Sequence, residues 1–137
     1  MKKTKNERGQ SLVELAVSLV LLLLLLSGAV EFGIAFFQFV QLRDAAQEGA
    51  LYGSMNPSDT TNITARVRGA SNSPINLTTI TPVITYTGTG HCEGEGIKVE
   101  LTYNHTIFMP FIPQVLGRTT IPLKASVTDT ILSPVCP

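Results

Sequence analysis

Apolar side chains follow three regimes in this sequence. Over residues 12–30 they are nearly continuous, interrupted by Glu14, Ser18, Ser27 and Gly28. A helix over that run is about 28 Å long, close to the hydrocarbon thickness of a bilayer. No proline occurs over residues 10–53, so the spacing predicts one long helix over 10–54 that crosses a membrane at about 12–30. From Glu31 the regime changes. Glu31, Gln38, Gln41, Ala45 and Glu48 fall along one broad stripe, while Phe32, Phe36, Phe39 and Val40 lie mostly on other sides. The helix is expected to leave the membrane there and turn one face to protein. Ala45, Gly49 and Gly53, four apart, are candidate helix-packing positions because small residues let helices approach closely; alternatively, alanine in this region simply favours helix.

The third regime is alternation. Asn56-Pro57 ends the helix, since proline cannot continue it. Asp59 is placed to cap a second, short helix in which Ile63, Val67 and Ala70 share a face. A polar loop over 71–76 leads into three strand-like segments. Residues 79–87 are rich in threonine and β-branched side chains. Ile97, Val99, Leu101, Tyr103 and Ile107 alternate with polar residues, as do Ile121, Leu123, Ala125, Val127 and Ile131, with Asp129 the exception on the apolar side. The connection over 88–96 is glycine-rich; that over 109–117 is apolar, which is unusual for a loop. The predicted class is α+β: a long N-terminal transmembrane and amphipathic helix, then a small antiparallel sheet whose apolar face packs on the emerging helix. The predicted division is a basic leader over 1–9, the helix over 10–54 and a β-rich domain over 55–137.

Charge sets the expected topology. The 137-residue chain is formally neutral, but its first nine residues carry Lys2, Lys3, Lys5 and Arg8 against Glu7, a net of +3, and the remainder is −3. A basic leader before an apolar span keeps the N-terminus in the cytoplasm and places the rest outside. No basic cluster beyond the leader suits nucleic acid. Cys92 and Cys136 both fall in the exported part, where an oxidising compartment favours a disulfide; two unrelated thiols are the alternative. They are too few for a structural zinc site, and His91 beside Cys92 does not supply the missing ligands. His105 lies on the apolar side of its strand and reads as a satisfied core or edge histidine. No nucleophile elbow, phosphate loop or metal cluster is present, so no enzyme activity, cofactor or small-molecule substrate is expected. The sequons at Asn62, Asn76 and Asn104 are chance matches in a threonine-rich chain.

The most specific stretch is Arg8-Gly9-Gln10-Ser11-Leu12-Val13-Glu14. A basic leader ends in glycine, and four residues separate that glycine from a glutamate at the head of an apolar helix. This resembles the processing signal of type IV pilins. Together with Glu31-Phe-Gly33 and Ala45-Ala46-Gln-Glu-Gly-Ala50, it is similar to the TadE-like family of tight-adherence (Flp pilus) systems over about residues 8–53. The resemblance implies a minor pilin or pseudopilin, cleaved by a prepilin peptidase between Gly9 and Gln10, with other pilin-like subunits as partners. It implies residence in a bacterial inner membrane, or at the cell surface if the protein enters a pilus. It also implies that Glu14 meets the new N-terminal amine of a neighbouring subunit and sets its register; the alternative is a Glu14 resting in the headgroup layer. Glu31 is expected at the outer membrane face, either as a solvated boundary charge or docked against protein. Two other readings of the chain stay open: an uncleaved single-pass envelope protein with an exported interaction domain, and a secreted β domain released by signal peptidase near Ala29.

Overall fold

A computed structural model of the chain describes residues 7–133, with side chains from Gly9 onward. Lys2, Lys3, Lys5 and the side chains of Glu7 and Arg8, on which the expected leader charge rests, lie outside the described residues, as does Cys136. Helix α1 (Glu7–Met55) runs unbroken for 49 residues, about 74 Å of rod. It ends where the sequence predicts: the Asn56 N–H still reaches Tyr52 O at 3.0 Å, and Pro57 has no N–H to continue the ladder. Helix α2 (Thr60–Gly69) begins at Asp59, whose carboxylate accepts the Asn62 N–H at 3.1 Å. Ile63 and Val67 are buried on its inner face. Ala70, expected with them, is instead an exposed C-cap, because the helix stops one residue short of it.

A 3-10 turn, Leu77–Thr79, capped by the Asn76 side chain, ends on Thr79, the first residue of the segment expected as strand, and residues 80–82 follow it without regular structure. Strand β1 (Val83–Tyr86) is therefore shorter than the expected 79–87. It begins directly after Pro82, which cannot donate to a ladder. Strands β2 (Gly96–Thr106) and β3 (Thr120–Thr130) are long, and the segment between them folds a short helix, α3 (Ile112–Leu116), at its tip. The three strands form one antiparallel sheet in the order β1-β2-β3. Its register places Val99 opposite Val127, Leu101 opposite Ala125 and His105 opposite Ile121.

The fold is thus α+β, a long apolar helix followed by a small antiparallel sheet. The inner sheet face, represented by Ile97, Val99 and Leu101, closes on Leu42, Ala45 and Ala50 of α1, and α2 completes the core through Ile63 and Val67. Ala45, Gly49 and Gly53 all lie on this buried face. A Cβ on Gly49 would lie 2.5 Å from Val67 Cγ2, and one on Gly53 would overlap Ile97 and crowd Ile63. These glycines let α2 and the sheet approach the α1 backbone. The C-terminal end of β3 is stitched to the top of α1: Ile131 N–H donates to Glu95 O at 2.8 Å and Leu132 N–H to Ser54 O at 2.7 Å.

Below the domain α1 is bare. Residues 9–26 are exposed throughout, and among the described residues this is the one helix long and apolar enough to cross a membrane. Length and composition suggest a membrane anchor. Just above the apolar run the helix is turned inside out relative to a water-soluble one: Glu31, Gln38 and Gln41 are buried, and Phe32, Phe36 and Phe37 are exposed. Glu48, expected on the inward stripe, faces outward; Gly49 and Ala45 take the inward positions at that level.

Candidate functional site

Two groups of residues carry chemistry. The first is the head of α1. Gly9, Gln10 and Glu14 are all exposed on one uninterrupted helix. Gln10 and Glu14 are four residues apart, so they share a face and are separated by about 6 Å along the axis. Neither is drawn into the sheet domain.

The second group lies where α1 meets the end of the sheet nearer the apolar run. Glu31, the first residue past the apolar run, is only 5 % exposed. Its Oε1 lies 2.6 Å from His105 Nε2, and His105 itself is fully buried. The other ring nitrogen, Nδ1, lies 2.6 Å from the Gln38 side-chain oxygen. A carboxylate only accepts, so Nε2 carries a proton. Gln38, whose amide can present either oxygen or nitrogen, completes the ring's hydrogen bonding in either protonation state. The same carboxylate also accepts two backbone donors from the segment after β2. Phe108 N–H reaches both of its oxygens at 3.2 Å, and Met109 N–H reaches Oε2 at 2.8 Å.

One carboxylate therefore ties the helix to a strand and to the start of the β2–β3 connection. Burial pushes its pKa up, but the Met109 and Phe108 N–H groups and His105 pull harder, so the net value lies below the ordinary carboxylate range. Ten residues further up, Gln41 makes a second latch: its amide donates to Ile75 O at 2.9 Å and accepts the Ile75 N–H at 2.8 Å. The polar residues on the inward stripe of α1 are thus engaged by the sheet and its loops.

Of the two expectations for Glu31, docking against protein is the one observed. His105 is the satisfied core histidine expected, but its partners were not assigned from the sequence. The signal was present: a histidine on the inner face of a strand needs polar partners, and the inward stripe of α1 offers Glu31, Gln38 and Gln41. Cys92 sits half-buried in the β1–β2 loop; Glu95, in the same loop, accepts the Gly90 and Cys92 N–H groups at 3.3 and 3.2 Å. The expected partner of Cys92, Cys136, lies outside the described residues. Among the described residues no cluster of three or more His, Cys, Asp or Glu side chains could hold a metal ion.

The geometry is that of a long helix carrying a clamped domain at one end and an exposed, motif-bearing head at the other. Residues 9–51 match the family model described as TadE-like protein. No curated protein and no solved structure is matched by the chain. The matched stretch runs from the glycine of the leader motif, through the apolar run and the Glu31 stripe, to the small-residue segment that packs under the sheet. Over residues 9–51, then, this chain is similar to the TadE-like family.

Proposed function

We propose that this protein is a pseudopilin-like structural subunit, a minor pilin of a tight-adherence (Flp-type) pilus or a related secretion machine. In this reading α1 anchors it in a bacterial inner membrane with its N-terminus in the cytoplasm and the sheet domain exported. A prepilin peptidase removes residues 1–9. Its partners are other pilin-like subunits, and it performs no catalysis and holds no cofactor.

The supporting observation is the Gly9–Glu14 spacing at the head of an apolar helix that is exposed throughout residues 12–26. Cleavage after Gly9 creates an α-amine at Gln10, a cation near neutral pH. A carboxylate at the edge of hydrocarbon is costly alone. Paired across subunits with that amine, in surroundings of low effective dielectric, it holds one helix at a fixed axial offset from the next. In this reading the terminus of one subunit and Glu14 of the next, about 6 Å apart along each helix axis, are the two halves of that pairing.

N-terminal sequencing and intact mass of the protein purified from its own host test the reading. The expected product starts at Gln10. A product that keeps Met1 would favour an uncleaved single-pass protein, and one starting at Val30 a secreted domain; either result ends the pilin reading. If processing is as expected, Glu14→Ala should abolish subunit association while leaving membrane insertion unchanged.

A further inference from the structure

The connection between β2 and β3 is built for an apolar medium. Residues 107–117 read IFMPFIPQVLG, with Gln114 the one polar side chain. Phe108, Phe111, Val115 and Leu116 are all exposed. Phe111 adopts φ 72°, a left-handed conformation that costs a bulky residue energy, yet the side chain is 65 % exposed. Among the described residues, contacts with α1 cover only the smaller part of that side chain.

The backbone is equally telling. An N–H left open in hydrocarbon costs several kcal/mol, which bars ordinary loops from lipid. Here Ile107 N–H bonds Thr119 O, Val115 N–H bonds Phe111 O and Gly117 N–H bonds Pro113 O. Phe108 and Met109 N–H are taken by the Glu31 carboxylate, and Pro110 and Pro113 have no donor, so the open donors are confined to the first turn of the short helix at the tip, which has no side-chain cap. The tip also reaches down the helix. A Cβ on Gly28 would lie 4.0 Å from Ile112 Cδ1, and Met109, Pro110 and Phe111 share an apolar groove with Leu23, Leu24 and Val30. Leu23 lies about 12 Å below Glu31 along the axis, well inside the run that would occupy hydrocarbon. Arg118, exposed just past the tip, stands where a cation can meet anionic headgroups.

From these observations we infer that the 107–117 connection enters the exported-side leaflet of the bilayer that α1 crosses, with lipid acyl chains covering Phe108, Phe111, Val115 and Leu116. The domain is then held to the membrane at two points, with Glu31 joining them. The inference rests on the membrane-anchor part of the proposed function, and its test separates the two.

The chain contains no tryptophan, so single-tryptophan variants of the full-length protein report one site each. Phe111→Trp, Leu22→Trp and Thr61→Trp are reconstituted in phosphatidylethanolamine–phosphatidylglycerol vesicles whose acyl chains are brominated. Bromine in the hydrocarbon should quench Phe111→Trp to an extent comparable with Leu22→Trp, and leave Thr61→Trp bright. Val115→Trp, on ordinary helical backbone, repeats the reading without disturbing the strained position. If Leu22→Trp is quenched while the Phe111 and Val115 probes are not, the inference falls and the anchor stands. If those two probes are shielded from both bromolipid and aqueous iodide, protein covers the tip and the inference also falls. Should Leu22→Trp itself escape quenching, the anchor reading fails and takes the inference with it.

Discussion

Glu31 illustrates how one side chain can be costly alone and stabilising in place. A buried carboxylate is tolerated when its lone pairs are filled and a protonated partner stands beside it; Glu31 has His105 and two backbone donors. Removing it would leave His105 Nε2 and the Phe108 and Met109 N–H groups unsatisfied together. Glu31→Ala should therefore lower the stability of the sheet domain by about 3 kcal/mol, measured by denaturant unfolding of the detergent-solubilised full chain. Glu31→Gln, which keeps one acceptor, should cost about 1–2 kcal/mol. The pH dependence has a defined sign. Because the folded pKa lies below the ordinary value of 4.5, the carboxylate's contribution is fully present above that value and is lost as pH falls through the lowered one. Asp59, Glu95 and Glu100 are lowered too, so the comparison that matters is between proteins. The loss of stability on acidification below about pH 4.5 should be smaller in Glu31→Gln than in the parent.

Helix α1 changes its environment twice along its length, and the same residue type serves differently at each level. Gly33 has nothing within 4 Å of where a Cβ would sit, whereas Gly49 has Val67 Cγ2 at 2.5 Å. Alanine gains about 1 kcal/mol over glycine in a helix interior, and overpacking a core costs about 1–3 kcal/mol. Gly33→Ala should therefore stabilise the detergent-solubilised chain, and Gly49→Ala should destabilise it because β-branched Val67 has little room to rotate away. Shifts of opposite sign in the thermal midpoint would bear this out; a gain at both sites would refute the close approach of α2 to α1. Strand β1 carries a related lesson. Threonine and β-branched composition predicted nine residues of strand, but a capped 3-10 turn and Pro82 left the four residues Val83–Tyr86. Local hydrogen bonding by Asn76 took Thr79 into the turn, and Pro82, without an N–H, stands directly before the strand.

The molecule as a whole is a rod with a domain clamped along its upper part, and its free edges are secured at the far end. The β1–β2 loop, the end of β3 and the top of α1 meet through Glu95, Ile131 and Ser54. A disulfide between Cys92 and Cys136 would close this corner, joining positions 44 apart in sequence. On the chain-entropy model such a closure is worth about 4 kcal/mol. Alkylation of the unfolded, unreduced protein should add no mass, reduction should expose two thiols, and Cys92→Ser should lower stability by up to about that amount. Labelling of two thiols without reductant would sink the pairing.

The existence and end of the long helix, the apolar span, the alternating faces of β2 and β3 and the leader motif were all legible in the amino-acid order. Each depends on neighbours within a few residues: a period, a proline, a run of leucines, a glycine five positions before a glutamate. Which residues clamp the helix to the sheet was not legible, because Glu31 and His105 are 74 positions apart and no local rule brings them together. Nor could composition say whether the polar stripe of α1 faced water or protein. Periodicity names a face without naming its partner; folding set Glu31 and Gln38 against a buried imidazole, packed Phe39 against the core and left Phe32, Phe36 and Phe37 outside, because a desolvated polar group must be hydrogen-bonded.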